Sequence, residues 1–146
     1  MGLFDKLSRR KAEAPLTPQE AVGALLYLTV AADGEISSEE KEAFIATSNQ
    51  MKVFRGQSAD QFNLMIDKAK FLLTEHGFET AIDRVAAALP TDLKPMAFTW
   101  AAETAFADGT VSDEESEFLT AVYMVLGMEE ELALKIIEVI EIKCRG

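Results

Sequence analysis

Two aspartates and two glutamates stand in a repeated setting. Asp33 and Glu40 belong to AADGEISSEEKEAF (residues 31–44), and Asp108 and Glu115 belong to FADGTVSDEESEFL (residues 106–119), each position 75 residues after its counterpart. Carboxylates are hard oxygen donors that suit calcium, magnesium or manganese rather than copper. The spacing reproduces half of an EF-hand calcium loop. If Asp takes the fifth position, Gly falls at the sixth, Ile36 or Val111 at the eighth, Ser at the ninth and Glu at the twelfth. The first and third positions depart from that loop, being Thr29 and Ala31 in one copy and Thr104 and Phe106 in the other. One copy alone therefore cannot supply the roughly six to eight oxygens that calcium takes. Two half-sites joined by internal symmetry, or one half-site completed by water, can. Glu39, Asp113 and Glu114 enrich the local negative field, and Glu103, in the nearly uncharged stretch FTWAAETAFA (98–107), is a possible extra ligand with Leu28 as its counterpart.

Most of the repeat also has an explanation that needs no ligand. Gly34 and Gly109 can take the left-handed conformation that ends a helix. Ser37 and Ser112 can cap the following helix, with Glu40 and Glu115 returning the hydrogen bond as capping-box partners, while Ile36 and Val111 plug the joint with apolar bulk. The aspartates are not absorbed by that account. Each lies at the C-terminal end of a predicted helix, where the macrodipole disfavours a carboxylate by up to about 1 kcal/mol. A bound cation reverses that sign, and an Asx-type turn is the competing remedy.

The elements that must position these residues are helical. Thr17-Pro18-Gln19-Glu20 combines an N-cap, a proline in the first turn and a capping-box acid, launching a helix to about residue 32 with Val22, Leu25, Leu26 and Leu28 on its buried face. A second helix is predicted over 38–54. Ser58 and Gln61 form another capping box, starting a helix that His76-Gly77 closes, and a shorter segment over 79–89 stops at Pro90. Asp92 is expected to cap a helix to about residue 107, Ser112 one to Leu126, and Gly127 separates the last, over 129–142. Asp92 stands at the 75-residue offset of Thr17, so cap, apolar helix, Asp-Gly turn and second helix recur as a unit. The expected fold is all-α: a single domain over 17–146, of about seven helices, built from two pseudo-symmetric helix-turn-helix halves.

Composition narrows the function. The 146-residue chain is 49% apolar and carries a net charge of −11. Residues 15–146 hold 10 basic and 23 acidic groups, a net of −13, which repels phosphate backbones and argues against nucleic-acid binding. Acidity of this kind suits cations or basic partner surfaces. Cys144 and His76 are each alone, so neither a cysteine- or histidine-rich metal site nor a Ser/His/Asp or Cys/His catalytic set gains support. No apolar run approaches the roughly 18 residues of a membrane span, and no signal-peptide core is present, so a cytoplasmic protein is expected. Residues 1–16 form a short basic amphipathic segment, in which Leu3, Phe4 and Leu7 share one side of a helical turn among Lys6, Arg9 and Arg10. The Leu/Ile face of the acidic C-terminal helix is expected to seal the core. Trp100 and the Met and Phe positions are read as core.

ADGEISSEE and ADGTVSDEE, the helical pattern between them, MKVF at 51–54 and the MGLFDKL start together resemble the tellurite-resistance TerB family and its TerB-like relatives, over about residues 17–142. The resemblance implies a small bacterial helical domain that binds divalent metal through acidic residues. It also implies association with stress-response systems and with assemblies at the inner face of the membrane. Carried over by position, the family's acidic motif falls on Asp33, Glu40, Asp108 and Glu115. The expectation is thus a non-enzymatic metal-binding module with protein partners, calcium first among the cations. A metal-free helical scaffold is the alternative, and a metal-dependent hydrolase using the same carboxylates a more distant one.

Overall fold

The computed structural model describes residues 2–4, 6–7, 15–31, 37–106 and 111–145, with the side chain of Glu40 outside that set. Among the described residues the chain is helical throughout: α1 (Pro18–Val30), α2 (Ser38–Gln50), α3 (Ala59–Ala88), α4 (Lys94–Ala105), α5 (Asp113–Leu126) and α6 (Glu130–Lys143), with short 3-10 turns at Lys52–Phe54 and Thr91–Leu93. Helix α3 bends at Gly77 (φ 80°, ψ 172°), a backbone conformation that glycine adopts without a Cβ penalty. Its two arms are the two segments expected on either side of His76-Gly77, so six continuous helices make seven straight pieces.

Local hydrogen bonding explains where the helices start. At Thr17 the hydroxyl accepts from the Glu20 N–H (3.1 Å) and the Glu20 carboxylate accepts from the Thr17 N–H (2.9 Å). Ser58 and Gln61 repeat the arrangement at 3.2 and 2.9 Å. Asp92 does not cap α4; it lies in the 3-10 turn, and the N-cap is Leu93, with no side-chain cap bond. The cause is the residue at the third position beyond it: where Thr17 finds the N–H of Glu20, Asp92 finds Pro95, which has none.

Helix α2 ends at Gln50, short of the expected Phe54. Met51 turns extended (φ −88°, ψ 127°), and it and Phe54, the last residue of the 3-10 turn, are buried. The Val53 carbonyl, outside any α-helical ladder, accepts from the Gln19 side chain at 2.7 Å.

The core runs through all six helices. Val22, Leu25, Leu26 and Leu28 are at most 1% exposed, each contributing roughly 1.5–3 kcal/mol by leaving water. Helix α1 packs on α2, α3 and α4; α4 in turn packs on α5 and α6, and α3 also meets α5. Close approach is built in: a Cβ on Gly23 would lie 2.4 Å from the Met65 sulfur of α3, and α4 buries four alanines beside Phe98. Helix α6 seals the core along a narrow stripe, burying Ala133 and Ile140 while Leu134, Val139 and Ile142 stay exposed. No described helix is long and apolar enough to cross a membrane.

Candidate functional site

Helices α1 and α4 end alike. The N–H of Ala31 (φ −92°, ψ 10°) bonds back to the Tyr27 carbonyl, and that of Phe106 (φ −91°, ψ 5°) bonds to the Ala102 carbonyl. One turn earlier, the Thr29 hydroxyl donates to the Leu25 carbonyl and the Thr104 hydroxyl to the Trp100 carbonyl, both at 2.8 Å. All of these positions are 75 residues apart, so the duplication seen in sequence is a duplication of backbone geometry. Both helices stop two residues before the predicted ends, at Val30 and Ala105, which leaves Asp33 and Asp108 each three positions past the last helical residue.

The next helices begin alike as well. Lys41 N–H bonds to the Ser37 carbonyl at 3.0 Å, and Ser116 N–H to the Ser112 carbonyl at 2.9 Å. In the second copy the predicted capping box is complete, with both Ser112–Glu115 bonds at 3.1 Å. One carboxylate oxygen of Glu115 is thereby committed to the backbone.

Both joints open on the same cleft, of about 1070 Å³. Part of its lining is symmetric: Thr29 with Thr104, Val30 with Ala105, Ser37 with Ser112, and Glu39 with Glu114. Trp100 lines it too, half-buried rather than fully in the core. At this end the C-termini of α1 and α4, with the negative poles of their helix dipoles, meet the N-termini of α2 and α5. Glu39, Glu103, Glu114 and Glu115 bring carboxylates, and Lys143 of α6 is the basic group among the lining residues.

The structure therefore brings the described flanks of both motifs together. Asp33 and Asp108, the glycines beside them and the side chain of Glu40 lie outside the described residues. Glu103 stands in the cleft, where the Lys143 ammonium donates a hydrogen bond to its carboxylate. That bond and the Glu103 charge raise the Lys143 pKa, against a small opposing effect of desolvation. Among the described residues no three Asp, Glu, His or Cys side chains gather closely enough to hold a metal ion. What the described part of the cleft supplies is oxygen-rich walls, from Thr29, Thr104, Ser37, Ser112 and the glutamates. Lys143 and Cys144, whose thiol lies 3.6 Å from the Phe106 carbonyl, were not expected at this site; only the folding of α6 against α4 places them there.

Fold and cleft define a duplicated, acidic, all-helical module in which the flanks of the two motifs line one cleft. The family model of tellurite resistance protein TerB matches residues 19–136, and the chain belongs to the TerB family. Comparison with curated proteins and with solved structures gave no match.

Proposed function

We propose that this chain is a non-enzymatic module that binds a divalent cation, calcium first, at the cleft between its two Asp-Gly turns. Through that cation it presents a metal-dependent acidic surface to protein partners of a bacterial stress-response system of the tellurite-resistance kind, at the inner face of the membrane. The observation that supports this reading is the symmetric lining: each half supplies a threonine, a serine and a glutamate to one cavity at equivalent positions. Asp33, Glu40, Asp108 and Glu115 are the ligands of the proposal, hard oxygen donors suited to calcium, magnesium or manganese. Family membership is consistent with it.

A metal-free scaffold is the rival, and the closed Ser112–Glu115 capping box favours it, since it accounts for Glu115 as a helix starter. Calorimetric titration of chelator-stripped protein with calcium, then magnesium, manganese and zinc, decides between them. Saturable heat in the native chain, absent from the Asp33→Asn/Asp108→Asn double variant with unchanged helicity, is expected. Heat that persists in that variant, or none in the native chain, removes the cation from the account.

A further inference from the structure

Leu3 and Phe4 are the most exposed large apolar side chains among the described residues, at 79% and 82%, and Leu7 is 49% exposed. They sit on a helical turn closed by the bond from the Lys6 N–H to the Gly2 carbonyl (3.2 Å). Positions 3, 4 and 7 of a helix project within an arc of about 100°. The turn thus offers one apolar side.

Charge says what that side meets. Lys6, Arg9, Arg10 and Lys11 against Asp5 and Glu13 leave residues 1–14 at a net of +2, while the remaining chain stands at −13. The molecule itself holds a surface of opposite character: a groove of about 520 Å³ between α5 and α6, lined by Leu119, Leu134 and Ile137 together with Asp113, Glu130 and Glu141. Leu3 and Phe4 are exposed rather than seated in that groove. A single helical turn is also short of the roughly 800 Å² a standard protein interface asks of each side. A fluid anionic surface needs no matched shape and accepts both the apolar side chains and the basic ones.

We propose that the N-terminal segment is an interfacial membrane anchor, in which Leu3, Phe4 and Leu7 enter an anionic lipid surface and Lys6, Arg9, Arg10 and Lys11 pair with its headgroups. The body, repelled by the same surface, stands off from it beyond the Thr17 cap. This assignment is independent of cation binding at the cleft.

Co-sedimentation of the full chain, stripped of divalent ions, with phosphatidylcholine vesicles containing or lacking phosphatidylglycerol tests it. Binding to the anionic vesicles only, weakened by high salt, is expected. Lys6→Gln and Arg9→Gln should each weaken binding about fivefold, and Leu3→Asp/Phe4→Asp should abolish it. These residues lie outside the core, so circular dichroism and Tm should not change. Absence of binding, equal binding to neutral vesicles, or retained binding by the double aspartate variant would overturn the anchor. So would a vesicle-free dimer lost in that variant, which would make a second copy the occupant.

Discussion

The two halves of this molecule share a joint and differ in the helix that follows it. Helix α5 buries Phe118, Leu119, Val122 and Leu126. At the equivalent positions the first half has Ala43, Phe44, Thr47 and Met51, and of these Phe44 and Met51 are buried while Ala43 and Thr47 line the cleft. Where the second half places Phe118 and Val122 to fill the core, the first has side chains too small or too polar to do so. Ala43 and Thr47 form part of the cleft wall instead. The α5 side of the cleft is part of a packed scaffold, reinforced by Phe78 edge-on to Phe118 at 6.0 Å just past the Gly77 bend. Its α2 side rests on fewer anchors: Phe44 against Phe62 at 5.7 Å, and Phe54 edge-on to the same ring at 6.3 Å. A duplicated fold can thus keep its helix-end geometry while one copy buries fewer side chains and lines a cleft.

The largest expected effect follows from that asymmetry. Phe118→Ala should cost about 3–5 kcal/mol, because the vacated space lies between three packed helices and cannot collapse easily. Phe44→Ala should cost about 2–3 kcal/mol, near or below the low end of that range, since α2 can settle inward toward the cleft. Denaturant unfolding of both variants checks the order; equal losses would mean that α2 is as firmly seated as α5. A smaller effect is expected at the joint. Ser112→Ala removes the hydroxyl that accepts from the Glu115 N–H and should cost about 1 kcal/mol. The Glu115 carboxylate accepts from the backbone N–H at position 112, which alanine keeps, so under the proposed cation site the same change should leave calcium heat unchanged, read in the same calorimeter.

What could be read from the sequence was whatever short-range hydrogen bonding decides. The capping boxes at Thr17, Ser58 and Ser112 and the left-handed glycine at 127 (φ 71°, ψ 26°) are settled within a few residues. The Asp92 expectation failed on a local fact as well, the missing N–H of Pro95, which comparing cap residues alone overlooks. The offset of 75 showed that the two helix joints are related, but not that a cleft would lie beside their flanks. Lys143 could not be foreseen, because nothing in an alternating Leu/Ile/Glu helix says which of its turns will lie against Glu103, 40 residues earlier. Nor could the limited burial of α6, whose apolar face is wider than the stripe the core has room to cover.

The Glu103–Lys143 pair carries the smallest effect and sharpens the comparison from its other side, because Glu103 has no acid opposite it: its counterpart in the first half is Leu28. The ammonium is solvent-exposed, so its removal by Lys143→Met should leave Tm at neutral pH nearly unchanged. Its pKa is raised above the usual 10.5 by the bond to Glu103, so the folded state holds that proton more tightly than the unfolded chain does. The pair's contribution is then fully present below about 10.5 and is lost as pH rises through the higher folded value. Thermal melts of native and variant protein should run parallel from neutral pH up to that range and converge above it. If they stay parallel into the alkaline range, the ion pair is not formed in solution. Glu103 would then be left uncompensated at the cleft, adding to the negative field that a cation would meet.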